Sequence, residues 1–124
     1  MITASRAESP DILVVEDDDD TRDALCILLQ GQRYDVLNAR NGREAVQVLG
    51  RTRPSLIIMD LSMPVMTGWQ LLEFIRDRSL LPAIPVIVLS ADSRPPADDV
   101  CFLQKPVGAE LLLEEVRSLV SHSG

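Results

Sequence analysis

Five side chains of types that do phosphorus and metal chemistry each follow a short apolar run. Glu16 and Asp17 follow the run 12–15, Asp60 follows 56–59, Ser90 follows 86–89, and Lys105 follows 101–104. Three carboxylates brought together repel one another, which raises their pKa values unless a cation compensates. An oxygen-only donor set with open positions suits Mg²⁺ (or Mn²⁺), which takes few protein ligands and keeps its waters for a phosphate. A carboxylate attacking phosphorus also needs a positive charge on the phosphoryl oxygens and a hydrogen-bond donor. Lys105 and Ser90 supply those. Lys105 is the only lysine among 12 basic residues. Its compact ammonium can follow an oxyanion where the planar fork of arginine cannot.

These residues meet only if the apolar runs are neighbouring strands ending at one edge. The pattern supports that arrangement. The segment 11–16 is a β-branched run that stops at acids, and 34–38, 55–59, 85–89 and 101–104 read as four further strands. Between the first two, Thr21, Ala24, Leu25, Leu28 and Leu29 form a helical stripe, with Gly31 expected just past its end. Gly42, Ala45, Val46 and Leu49 form a second stripe, stopped by Pro54. Thr67 is a plausible N-cap for a third helix facing inward through Gly68, Leu71, Leu72 and Ile75. Ala109, Leu112, Leu113, Val116, Leu119 and Val120 define a closing helix. Alternation of strand and helix implies βαβ crossovers and an α/β fold: a five-stranded parallel sheet with helices on both faces. In such a sheet, ligands bind at the carboxyl ends of the strands, where the five residues above fall.

Composition bounds the rest. The 124 residues make about one domain, 46% hydrophobic and 25% charged, as in a soluble globular protein. A formal charge of −7 repels phosphate backbones and anionic lipid, so neither nucleic acid nor membrane is an expected partner. The first ten residues lack a signal-peptide core and are expected to be a disordered extension, with residues 11–121 as the domain and 121–124 as a frayed end. Cys26 and Cys101 lack metal-site spacing and read as small hydrophobes in a reducing cytoplasm. His122, the only histidine, lies in a polar tail, which argues against a zinc site or a Ser/His/Asp triad.

Together, the segment 12–18, the segment 58–64 with Gly68, the segment 85–91 and the pair Lys105–Pro106 resemble the receiver domain of two-component response regulators. The resemblance runs over roughly residues 11–120 and implies the flavodoxin-like strand order 2-1-3-4-5. It further implies that Asp60 accepts a phosphoryl group from a histidine kinase or His phosphotransfer protein, without the chain being an enzyme in the ordinary sense. Asp17, Asp60 and the main-chain carbonyl of Ser62 would bind Mg²⁺, with Glu16 acting through water. Ser90 and Lys105 would hold the phosphoryl oxygens, the Lys105–Pro106 bond would be cis, and Ser90 and Phe102 would form the switch pair. Ser62 and Asp92 stand where family members tune hydrolysis of the acyl phosphate.

One departure stands out. Receivers place a full helix between strands four and five, but here the polar stretch 91–100 carries Pro95 and Pro96, so that helix is expected to be absent or reduced to about one turn. The family's usual output route is thereby in doubt, which leaves a receiver-fold binding module that works without phosphate as the alternative function. A Mg²⁺-dependent phosphatase is disfavoured because Ser62 stands where its general acid would be, and a flavodoxin because acids replace the phosphate loop. An EF-hand lacks its glycine and distant glutamate. Asp18, Asp19 and Asp20 suit an acidic first helical turn. Trp69 and Phe74, off the third stripe, are expected to cover apolar surface; Leu111 lies outside the inner face of its helix, with a contact site as the secondary reading.

Overall fold

The computed structural model describes residues 11–61, 67–78, 83–91 and 99–123. The elements run β1 (Ile12–Val15), α1 (Asp19–Gly31), β2 (Val36–Ala39), α2 (Gly42–Leu49), β3 (Leu56–Asp60), α3 (Gly68–Asp77), β4 (Val86–Ser90), β5 (Cys101–Gln104) and α4 (Ala109–Ser123). The strands form one sheet in the order β2-β1-β3-β4-β5, every pair parallel.

Both faces of this sheet are buried, which is why β1, β3 and β4 are apolar without alternation. Leu13, Val15, Ile57, Met59 and Val88 pack against Ala45 and Leu49 of α2 and Leu71, Leu72 and Ile75 of α3. Their neighbours in sequence, Ile12, Val14, Ile58, Ile87 and Leu89, pack against Leu29 of α1 and Leu112 and Val116 of α4. Each fully buried Leu or Ile stabilises the fold by about 2 kcal/mol. The two apolar layers lock the strands in register, so the polar residues that follow them meet at one edge.

The expected inner face of α3 matches residue for residue, and Thr67 and Gln70 close a reciprocal capping box at its start. Elsewhere the structure corrects the reading. On α1 the buried residues are Arg22, Cys26 and Leu29, while Ala24 faces solvent, so the helix is rotated by about one residue from the apolar stripe. Arg22 takes one of the inward positions, bonded to a backbone carbonyl described below. Gly31 does not end the helix in a left-handed conformation; Arg33 does, at φ 71°. The Arg33 N–H donates to Gln30 O (2.9 Å) and the Tyr34 N–H to Leu29 O (3.3 Å), the bond pair of a Schellman turn. Tyr34 thereby belongs to the helix end, and β2 begins only at Val36. α2 stops at Leu49, capped by Gly50, rather than at Pro54. α4 continues to Ser123, into the segment 121–124 expected to fray.

Between β4 and β5, Ala91, Asp99 and Val100 form no helix; residues 92–98, including both prolines, and residues 1–10 lie outside the described residues. Arg76 of α3 makes a bidentate pair with Asp99 (3.0 and 2.7 Å), fixing the approach to β5. Phe74 does cover the core, beneath the Arg78 guanidinium at 4.8 Å, whereas Trp69 is 52% exposed. Leu111 is exposed as expected; Ile27, also exposed on α1, had not stood out in the sequence. Both cysteines are free. Burial, followed by the Glu115 carboxylate, pushes the Cys101 thiol up to about 11.

Candidate functional site

β1 delivers Glu16 and Asp17 to the edge, and Asp18 then starts α1. The Asp18 side chain accepts from the Thr21 N–H (2.9 Å) and hydroxyl (2.6 Å), so this acid is committed to capping. Asp19 and Asp20 fill the first turn, where the helix dipole favours them. Glu16 turns inward and is almost fully buried, while Asp17 stays exposed. The Asp18 N–H donates to Glu16 Oε2 at 3.1 Å. The second oxygen, Oε1, is buried without a hydrogen-bond partner.

Asp60, the last residue of β3, is buried beside them. Oxygens of Glu16, Asp17 and Asp60 all lie within 4.8 Å of one another. Burial pushes the Glu16 carboxyl above its ordinary value; its bond from Asp18 opposes this, Asp60 adds to it, and Lys105 offsets it in part.

Lys105 reaches in from the end of β5, its Nζ 3.4 Å from Asp60 Oδ2 and 3.9 Å from Glu16 Oε1. Its own N–H donates to Ser90 O at 2.7 Å, so β4 and β5 present the hydroxyl and the ammonium as one unit. The Lys105–Pro106 bond is cis, as the resemblance implies. Ser90 is buried at the end of β4. Phe102 is half-buried against the α2/α3 layer, opposite Val88 in the ladder. Ser62 and Asp92 lie outside the described residues.

The loop leaving Asp60 is clamped by Gly68. Its N–H donates to Leu61 O at 2.9 Å. A Cβ on Gly68 would come within 2.5 Å of both Asp60 O and Leu61 Cα. Only glycine lets the start of α3 approach the end of β3 this closely. Beside Lys105 opens a mainly apolar cavity of about 520 Å³ between α1 and α4, reached by Leu25, Pro106 and Leu112. Neither this cavity nor Arg22 was legible in the sequence: the cavity depends on how two distant helices meet, and an arginine inside an acidic run reads as surface.

A doubly covered parallel sheet with three acids, a hydroxyl and one ammonium at its carboxyl edge defines a class of α/β domain whose site lies at the strand ends. A family model, the response regulator receiver domain, matches residues 12–117. The chain is 34% identical over 106 residues to the two-component response regulator ORR11 of Oryza sativa subsp. indica, covering 79% of this chain and 72% of that protein. It is 40% identical over 84 residues to an uncharacterized 14.6 kDa protein of Leptolyngbya boryana, a match spanning 68% of this chain and 64% of that protein. Among solved structures, the signal receiver domain of a histidine kinase from Syntrophus aciditrophicus superposes with a TM-score of 0.82 at 37% identity, covering 91% of each chain. The Thermotoga maritima response regulator TrrA, solved in complex with Mg²⁺-BeF, superposes with a TM-score of 0.78 at 29% identity, over 89% of this chain and 98% of that one. The chain belongs to the response regulator receiver domain family.

Proposed function

We propose that this domain accepts a phosphoryl group on Asp60 from a histidine kinase or His phosphotransfer protein and signals through the change in its partner interactions. One observation carries the reading: Lys105 Nζ stands 3.4 Å from Asp60 Oδ2, in a site where Glu16, Asp17 and Asp60 converge. The donor set fits Mg²⁺. It is all oxygen, and the buried, unbonded Oε1 of Glu16 is an acceptor that a hydrated cation satisfies. Asp17 and Asp60 would hold the ion directly and Glu16 through water, with the Ser62 carbonyl as the remaining protein ligand. Bound there, Mg²⁺ neutralises charge on the incoming phosphoryl oxygens.

The protein's own groups do the rest. An Asp60 oxygen attacks phosphorus in line with the bond to the donor nitrogen, and the acyl phosphate forms as that bond breaks. Lys105 follows the phosphoryl oxygens because its ammonium is already placed at Asp60. Ser90, joined to Lys105 through its main-chain carbonyl, supplies the hydroxyl donor. Phe102, two ladder positions before the Ser90–Gln104 pair, can register a shift at that strand end.

In this reading the chain catalyses only its own phosphorylation and dephosphorylation. It works in the cytoplasm, in keeping with two free thiols, and without nucleic acid as direct partner, in keeping with the acidic charge. No described helix is long and apolar enough to cross a membrane.

The test is intact-mass analysis after incubation with acetyl phosphate and Mg²⁺. The protein should gain one phosphoryl group, lose that gain in Asp60→Asn, and gain nothing when the metal is chelated. An unmodified wild-type mass across millimolar Mg²⁺ would refute the reading.

A further inference from the structure

Four polar or charged side chains are buried among the described residues: Glu16, Asp60, Ser90 and Arg22. The first three belong to the phosphoacceptor site. Arg22 has no part in that chemistry, yet burying a guanidinium is costly unless its donors are met. Its Nη2 meets Asp19 Oδ1 at 2.5 Å, but Asp19 is 77% exposed and would pair equally well with an arginine lying in solvent. The contact that requires burial is the other one. Nη1 donates to the main-chain carbonyl of Glu16 at 3.0 Å, inside the protein.

Glu16 sits where β1 ends and the turn into α1 begins. Its N–H donates to Ala39 O at 3.0 Å, which ties it to β2. Its carbonyl is held by Arg22 from the other direction. The Glu16 backbone is therefore held at both its N–H and its carbonyl, and this sets how its carboxylate leaves the chain and how the chain turns into Asp17.

From this we infer that Arg22 is a positioning residue: by gripping the Glu16 carbonyl it aims the Glu16 and Asp17 carboxylates at Asp60 and raises the affinity of the site for a divalent cation. The inference rests on the metal-binding reading above, and the sign of the effect distinguishes it from plain electrostatics. A fixed positive charge beside three carboxylates repels Mg²⁺, so if charge alone mattered, removing it would tighten binding. Positioning has the opposite consequence.

The experiment compares wild type, Arg22→Met and Arg22→Lys in two measurements on the full chain. Calorimetric titration with Mg²⁺ should show about tenfold weaker binding in Arg22→Met, the scale on which partners that orient a metal ligand act. Arg22→Lys keeps the charge and loses the fork, and should fall between. Hydrogen exchange in chelator should show a faster Asp18 amide in both variants, because that N–H is held by the Glu16 side chain. Val48→Ala, which loosens the α2 core away from the site, should lower stability and move neither readout. Unchanged or tighter Mg²⁺ binding in Arg22→Met, or Asp18 protection equal to wild type, overturns the inference. If wild type takes up no Mg²⁺, the metal reading fails, and the Asp18 amide alone then decides whether Arg22 positions the turn.

Discussion

Replacing Gly68 with alanine puts the geometry of the Asp60 edge under direct test. Gly68 is the first residue of α3, where alanine would ordinarily stabilise a helix by up to about 1 kcal/mol. Here the added Cβ would lie 2.5 Å from Asp60 O and from Leu61 Cα. Both are backbone atoms, so no rotamer change relieves the contact; α3 or the end of β3 must move. Overpacking of this kind costs about 1–3 kcal/mol. The same movement stretches the Gly68 N–H bond to Leu61 O, worth about 1 kcal/mol. The net expectation is a loss of about 2–3 kcal/mol. At about 2.1 cal/mol/K per residue, 124 residues give an unfolding entropy near 0.26 kcal/mol/K, so Tm should fall by about 8–12 °C. Calorimetric or far-UV CD melts of the two proteins measure this. Mg²⁺ binding, read by calorimetry below the melt, should weaken alongside, because Asp60 is on the strand end that moves. A variant as stable as wild type or more so would refute the reasoning, since it would mean the helix start stands further from β3 than described.

Three further outcomes follow from the same geometry. Arg33→Gly should stabilise the domain by about 0.5–1 kcal/mol, because Arg33 bears the left-handed conformation (φ 71°) that glycine adopts without strain; urea midpoints decide it, and a destabilised variant contradicts the Schellman assignment. Lys105→Arg should slow acyl phosphate formation about tenfold and Lys105→Ala about a hundredfold, measured as initial rates with acetyl phosphate, because a planar fork cannot sit 3.4 Å from Asp60 and 3.9 Å from Glu16 as the ammonium does; an arginine variant at wild-type rate would show that charge suffices. Glu16 carries a carboxyl raised above its ordinary 4.5, so its folded form holds the proton longer than its unfolded form, and its contribution to stability is complete below pH 4.5 and is lost as pH rises through the raised folded value. Without metal, wild type should therefore lose stability relative to Glu16→Gln as pH rises above 4.5. Saturating Mg²⁺ should reduce that loss by favouring the carboxylate, and a pH-independent difference between the two proteins would contradict the assignment.

The contrast between what was and was not legible in the sequence has a physical basis. The strands were readable because burial on both faces leaves no room for a polar residue, and LIIM and VIVL are short enough, and bounded closely enough by polar and turn residues, to be strands of a covered parallel sheet. Once the sheet is parallel, residues that follow the strands share an edge whatever the details of packing. Glu16, Asp17, Asp60, Ser90 and Lys105 could thus be placed together before any coordinates. The α3 face was equally secure, because Gly68, Leu71, Leu72 and Ile75 follow one helical period and Thr67 supplies the cap. α1 was misjudged by one residue because apolar periodicity assumes that only apolar side chains turn inward. Arg22 breaks that assumption: it turns inward and bonds the Glu16 carbonyl, while Ala24 faces solvent. α1 is thus held by its apolar side chains and by one polar contact beside them, and that contact also grips the turn that carries two of the three acids.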